Sequence, residues 1–275
     1  MGFIDLHVHT LASDGLFTPQ EVVQWAYKKN LKAIAITDHD TTDGIEKAII
    51  TGKQLGVEVI PGIEINTDYN GLEVHILGYY IDYRANWFQE LLKNIRHARQ
   101  IRAKKMVEKL QNLGLHIDLD EVEKLAGDAS IGRPHIARIL QKHNYVQSIK
   151  EAFDKYINNT GPAYVERYKI TPCEAIKTII DCGGVPVLAH PGLIGNLSIV
   201  KELVDCDLQG IEVYHSKHNP ETTNLYFHIA KQYNLIITGG TDCHGHLYGG
   251  QPILGSLNID ESLLHELKKR KDILE

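Results

Sequence analysis

Two hydrophobic rhythms alternate along the chain. Residues 3–8 form a short apolar run interrupted by Asp5 and His7, which predicts a strand. Thr18-Pro19 then offers an N-cap followed by a proline at the first helical position. Val22, Val23, Ala26 and Tyr27 recur at helical spacing up to about Asn30. A buried strand over 32–37 ends in Asp38-His39-Asp40. A second helix is expected over 43–55, with Thr42 as its cap and Gly56 as its stop. A third strand begins at 57–60 and ends in Glu64, and a further one over 72–80 carries His75. Strand, helix, strand, helix, strand with short links is the βα pattern of a parallel sheet. Its polar residues gather at strand C-terminal ends, where α/β barrels build their sites.

From about residue 84 the rhythm changes. Phe88, Leu91, Leu92, Ile95, Ile101, Met106, Leu110 and Leu113 describe one long amphipathic helix. Its polar positions include Arg96, Arg99, Arg102, Lys104 and Lys105, a basic face whose simplest reading is a solvated one. Shorter helices are expected at 120–125, 134–142 and 148–157, with no strand pattern between them. The expected organisation is a barrel from 1–84 and 164–275, with a helical insertion at 85–163 that caps its mouth. The βα rhythm resumes at Thr171-Pro172 with a helix to about Cys182 and a strand from 185 that ends in His190. A helix near 198–204, a strand at 210–214 and a helix at 220–233 follow. A strand beginning at 235 runs out into Asp242-Cys243-His244. A short strand at 252–257 and a helix from 260 end the pattern, and no repeat or low-complexity linker interrupts it.

Composition narrows the class. With 275 residues, 43% hydrophobic and 23% charged, the chain has the make-up of an ordinary globular protein with room for a full core. A net charge of −6 argues against a dominant basic surface for duplex nucleic acid but leaves room for small phosphorylated substrates. Fifteen histidines against five phenylalanines raise the case for a metal site, because histidine is the commonest metal ligand. Cys173, Cys182, Cys206 and Cys243 form no CxxC pair, and the expectation is reduced thiols, mostly packed as small hydrophobes. There is no signal-like leader and no membrane-length apolar stretch, so no membrane partner is expected and the cytoplasm is the expected compartment.

The candidate chemistry starts at the first strand. Side chains two apart on a strand share a face, so His7 and His9 project together, with Asp14 one loop away and Gly15 letting that loop curl back. Two imidazoles and a carboxylate suit a divalent metal with mixed nitrogen and oxygen ligation. Taken alone, the motif is equally compatible with a polar strand end. Five further segments stand at or near predicted strand ends: Asp38-His39, Glu64, His75, His190 and Asp242-Cys243-His244. Asp242 and His244 again share a face while Cys243 points away. Any one of these could be a hydrogen-bonded core or rim residue. Together they exceed the needs of one ion and fit two or three.

The order HxHxxxxDG, TDHD, Pro-Gly-Ile-Glu64, a later His-Ile-Leu, AHP and GxDxHG resembles the PHP (polymerase and histidinol phosphatase) superfamily across nearly the whole chain. The resemblance implies an α/β fold, a distorted (βα)7 TIM-like barrel, with an inserted helical domain. It further implies a hydrolase that cleaves phosphoesters with two to three divalent ions (Mn²⁺, Fe²⁺ or Zn²⁺), a metal-bound hydroxide as nucleophile and no protein nucleophile. By the same resemblance His7, His9, Glu64 and Asp242 hold one ion. Glu64 bridges to a second with His75 and His190, and Asp14, His39 and His244 hold a third. The most similar subgroup is that of bacterial nucleoside 3′,5′-bisphosphate phosphatases and short-RNA 5′-exonucleases, through the segment Gly132-Arg133-Pro134-His135. Arg133 and His135 then stand at an anion-receptive helix N-terminus, where arginine's planar fork suits phosphate oxygens. A solvated first turn is the plainer reading of the same residues.

One departure concerns substrate. In Asn159-Thr-Gly-Pro-Ala-Tyr-Val165 the subgroup's usual basic residue is replaced by Gly161, and Arg167 is the nearby residue that could compensate. The expected partner is a small phosphorylated molecule, a nucleoside 3′,5′-bisphosphate losing its 3′-phosphate. The alternatives are short 5′-phosphorylated oligonucleotides or histidinol phosphate. His215 and His218 are weaker candidates for lining the site, with structural roles favoured for both. An amidohydrolase also opens with HxH, but by family pattern uses a bridging lysine. Here Glu64 takes the bridging place and no strand-end lysine presents itself.

Overall fold

A computed structural model describes residues 2–127, 129–166 and 170–274; Arg167 lies outside the described residues. The chain forms two compact units, Met1–Gln89 with Lys169–Glu275 and Glu90–Tyr168.

In the first unit, β1 (Phe3–Val8) leads through a loop to α1 (Pro19–Lys28) and β2 (Leu31–Ile36). The expected cap is present. Thr18 Oγ1 accepts the Glu21 N–H at 3.2 Å while the Glu21 carboxylate accepts the Thr18 N–H at 2.8 Å. The next helix, α2 (Ile45–Leu55), starts two residues later than expected, with Gly44 rather than Thr42 at its N-cap, and stops at Gly56 as expected. β3 (Glu58–Tyr69) and β4 (Leu72–Tyr79) overturn the all-parallel reading, because they are the two arms of an antiparallel hairpin. Its two-residue turn is Asn70-Gly71, with φ of 53° and 87°, a backbone that these residue types tolerate and most others do not.

The second unit begins within α3 (Asn86–Asn112) and continues with α4 (Leu119–Ala126), α5 (Arg133–Lys142) and α6 (Ile149–Ala152), the last running into one π-helical turn at Phe153–Ile157. Met106 and Leu110 of α3 pack with Val122, Ile136, Leu140 and Ala152 in one apolar cluster. The basic face of α3 is not simply solvated. Arg99 donates to the Ile131 carbonyl at 3.1 Å and Arg102 to the Val165 carbonyl at 2.7 Å.

The first unit resumes with α7 (Pro172–Asp181), β5 (Val185–Leu188), α8 (Ser198–Val204), β6 (Gly210–His215), α9 (Pro220–Gln232) and β7 (Ile236–Gly240). The expected strand at 252–257 is absent. In its place are a small hairpin, β8 (Leu247–Tyr248) with β9 (Gln251–Pro252), and then β10 (Ile259–Asp260) before α10 (Ser262–Leu274). The main sheet runs β10-β1-β2-β3-β4-β5-β6-β7, and a parallel bridge from Val8 to Cys243 brings the end of β7 back to β1. The result is a nearly closed, distorted α/β barrel. Closure depends on Gly240, where a Cβ would lie 2.3 Å from the Cβ of His7. Parity divides β2 as a period of two requires: Ala33 and Ala35 join a cluster with Leu264 and Leu267 of α10, while Ile34 and Ile36 pack with Val22, Ala26 and Ile45.

The reading of four free thiols fails for two of them. Cys173, in the first turn of α7, and Cys206, just beyond α8, form a disulfide with their Cα atoms 5.5 Å apart. Cys182 and Cys243 are buried free thiols, and burial pushes them up to about 12 and about 11.

Candidate metal centre

Glu64 is the centre of the site. Its Oε2 lies 3.2 Å from Nε2 of His7, 3.2 Å from Nε2 of His9 and 3.1 Å from Nδ1 of His39. Its Oε1 lies 2.7 Å from Nδ1 of His75 and 3.0 Å from Nε2 of His190. Burial opposes its charge, but the fields of His39, His7 and His75 more than offset this and hold the carboxyl well below the usual range. The sequence reading ended a strand at Glu64 and set His75 within the next, both at or near strand ends. They lie instead within β3 and β4, because the hairpin projects beyond the stretch of β3 that pairs with β2.

Around Glu64 the other candidates converge. Asp242 Oδ1 stands 3.1 Å from Nε2 of His9 and 3.5 Å from Nε2 of His7, while Asp14 Oδ1 stands 3.2 Å from Nε2 of His244. Three groups have ligand atoms within 4.8 Å of one another: His7, His9, Glu64 and Asp242; His9, Asp14, His39 and His244; and His39, Glu64 and His75. His190 joins the assembly through Glu64. The His190 nitrogen Nδ1, the Nε2 of His7, both ring nitrogens of His9 and the Oε2 of Glu64 are buried without a hydrogen bond. Buried polar atoms left this way are costly unless something else satisfies them, and a shared cation does so for imidazole and carboxylate alike. The donor set therefore fits divalent ions. With protons alone as counter-charges, burial lowers His9 but the Asp242 and Glu64 carboxylates facing its Nε2 outweigh it and raise the ring to about 10. Glu64 likewise outweighs burial at His75 and raises it to about 9, whereas burial takes His39 down to about 3.

Other buried carboxylates hold the segments that carry these side chains. Asp38 accepts from the Thr10 N–H at 2.7 Å and from the hydroxyls of Thr10 and Ser13, fixing the loop that bears Asp14. Asp5 accepts from the Thr241 N–H at 2.9 Å and from its hydroxyl, fixing the residue before Asp242. Glu212, on β6, accepts from His7 Nδ1 at 3.0 Å and from the His190 N–H at 2.7 Å. Sequence reasoning passed over Glu212 and Asp5, although an acid inside a short apolar strand is itself a signal, since burying a charge needs compensation. His215 is buried with Nε2 3.6 Å from Asp242 Oδ2, whereas His218 is spent on backbone, donating to the Val213 carbonyl and accepting the Gly192 N–H.

Arg133 and His135 belong to the second unit. His135 is buried and its Nδ1 accepts the Gly132 N–H at 3.0 Å. Arg133 donates to Asn159 Oδ1 at 2.9 Å, with its guanidinium 5.3 Å from the Phe153 ring. At Gly161 a Cβ would lie 2.4 Å from the Tyr156 carbonyl oxygen, so the position that departs from the subgroup has no room for a side chain.

The comparisons agree with this chemistry. Residues 5–166 match the PHP domain family. The chain is 32% identical to a 5′-3′ exoribonuclease of Haemophilus influenzae, over 87% of this chain and 89% of that one. It is 31% identical to a phosphoribosyl 1,2-cyclic phosphate 1,2-diphosphodiesterase of Eggerthella lenta, over 91% and 97%. It is also 31% identical to a 3′,5′-nucleoside bisphosphate phosphatase of Chromobacterium violaceum, over 92% and 91%. A solved structure described as a metal-dependent phosphoesterase, from Bifidobacterium adolescentis, superposes with a TM-score of 0.90 at 30% identity, covering 98% of this chain and 96% of that one. A barrel whose ends gather imidazoles and carboxylates around one glutamate, in a chain with these relatives, is a metal-dependent phosphoesterase of the PHP family.

Proposed function

We propose that the chain removes the 3′-phosphate of a nucleoside 3′,5′-bisphosphate at a site for three divalent ions. The observation that carries this reading is the division of Glu64: one oxygen faces His7, His9 and His39, the other His75 and His190. A carboxylate used on both sides suits a ligand shared between ions. In this reading His7, His9, Glu64 and Asp242 hold one ion, Glu64, His75 and His190 a second, and Asp14, His39 and His244 a third. Bound divalent ions supply Lewis-acid charge to a phosphoryl group and acidify water, so the reaction needs no serine or cysteine nucleophile. Manganese, iron and zinc all suit such a donor set.

The chain's own side chains bind and orient. Arg133 offers a planar fork to phosphate oxygens, and with His135 it is the candidate for substrate contacts outside the ligand set. Support for a bisphosphate comes from the Chromobacterium relative's described activity. A second reading, exonucleolytic cleavage of short 5′-phosphorylated RNA, draws on the Haemophilus relative. The test is an assay of the metal-reconstituted protein on nucleoside 3′,5′-bisphosphate and on short 5′-phosphorylated RNA, measuring phosphate and mononucleotide release separately. Phosphate from the bisphosphate supports the first reading and mononucleotides from RNA support the second. Turnover of neither with Mn²⁺, Fe²⁺ or Zn²⁺ contradicts both.

A further inference from the structure

β6 lies between β5 and β7, which run out into the ligands His190 and Asp242, and contributes no residue to the proposed ligand set, yet its Glu212 is completely buried and bonded to His7 and His190 of that set. Its two oxygens have separate tasks. Oε1 takes the Nδ1–H of His7 at 3.0 Å, and Oε2 takes the backbone N–H of His190 at 2.7 Å. The first contact decides which face of the ring is a donor. With Nδ1 carrying the proton, the lone pair of His7 is on Nε2, the buried atom that faces Glu64 and Asp242. The second contact holds a residue in an uncommon conformation, since His190 has φ of 25° and is followed directly by Pro191.

We propose that Glu212 is a positioning residue for the metal centre, selecting the His7 tautomer that ligates through Nε2 and pinning the His190 turn at the same time. A carboxylate is required because both of its partners are donors. In Glu212→Gln, the side-chain amide has one acceptor and one NH₂. If its oxygen keeps the His190 N–H, the NH₂ meets Nδ1 of His7 and drives the proton to Nε2, where it blocks ligation. If its oxygen keeps His7, the NH₂ opposes the His190 N–H and displaces the turn.

The inference rests on the ligand set proposed above, so the test separates the two. Metal-free wild type, Glu212→Gln and His7→Ala are titrated with Zn²⁺ against a competing chelator, and the melting temperature of each is followed with and without metal. Glu212→Gln is expected to stay folded when metal-free, to bind zinc about 10–100-fold more weakly and to lose most of the zinc-induced rise in melting temperature. Wild-type zinc affinity in Glu212→Gln, with weakened binding in His7→Ala, overturns the role of Glu212 alone. Wild-type affinity in His7→Ala overturns the ligand set. Should Glu212→Gln fail to fold, zinc-loaded wild type labelled with ¹⁵N-histidine gives the answer by long-range ¹⁵N–¹H correlation. A proton on Nδ1 of His7, slow to exchange, is expected, and a proton on Nε2 overturns the inference.

Discussion

His75 meets Glu64 through Nδ1 and Oε1 at 2.7 Å, although the two are not partners in the hairpin register. Glu64 pairs with Leu77, and His75 pairs with Asn66. The contact is the diagonal one, two residues along on the same face, within reach of side chains of this length. Because β4 runs against β3, the first half of β4 lies beside the second half of β3, and an imidazole from mid-strand reaches the site. Glu64→Gln should therefore act on more than one ion. Its expected effect is a fall in bound metal by more than one equivalent and loss of turnover. Metal analysis of the purified variant checks this, and full metal content would contradict a shared ligand.

His9 belongs to two of the three convergent groups, whereas Arg133 lies in the second unit and is no metal ligand. His9→Ala should abolish turnover through metal loss. Arg133→Ala should leave kcat nearly unchanged and raise KM about 10–100-fold, the cost of a charge-assisted hydrogen bond to a phosphate. Steady-state kinetics at saturating metal separate the two effects. An unchanged KM removes Arg133 from the substrate site.

Metal and protons compete for the same atoms. In the metal-free protein His9 is raised to about 10 and His75 to about 9, so both are cationic at pH 8. A base whose folded pKa lies above its free value near 6.5 makes its stabilising contribution below that free value and loses it as pH rises through the folded pKa. The metal-free protein should lose stability between about pH 7 and 10, and metal should restore it. Loading at pH 8 should release protons, and affinity should fall steadily as acid is added. Calorimetry of metal binding in buffers of different ionisation enthalpy reads the released protons directly. No dependence on buffer would contradict the assignment.

The cysteines make a separate prediction. Without reductant the denatured protein should titrate two thiols, Cys182 and Cys243, and with reductant all four. In the native state both thiols should stay unreactive through pH 9, since burial raises them to about 12 and about 11. Their neutral forms favour the fold below an ordinary value near 9, and that contribution is lost as pH rises through the folded values. Four thiols without reductant would remove the disulfide.

Gly161 is closed to side chains by the Tyr156 carbonyl. Gly161→Ala should cost about 1–3 kcal/mol, read as a lowered denaturant midpoint with unchanged slope. Wild-type stability would mean that the turn has room after all.

Much of the barrel was legible because helix caps and strand rhythm are local. Thr18-Pro19 and Thr171-Pro172 start α1 and α7 through side-chain bonds three residues long, so a short window of sequence contains the whole signal. The antiparallel hairpin was also written locally, in Asn70-Gly71, a turn signal that the parallel-sheet reading did not use. What could not be read was non-local. Nothing in a 33-residue separation joins Cys173 to Cys206, and His7 and Glu212 are 205 residues apart. A histidine and an acid announce themselves as polar residues in apolar strands. Which acid orients which imidazole depends on the order of strands around the barrel.

Glu64 is the proposed ligand shared between ions, with one oxygen toward His7, His9 and His39 and the other toward His75 and His190. Anomalous diffraction from crystals of the Mn²⁺-loaded protein, recorded at the manganese edge, locates every bound ion without assuming its ligands. The expected map has one peak beside His7, His9 and Asp242 and a second beside His75 and His190, with Glu64 between them. A third is expected beside Asp14, His39 and His244. A single peak, or peaks that leave Glu64 without a metal neighbour on either oxygen, would contradict it.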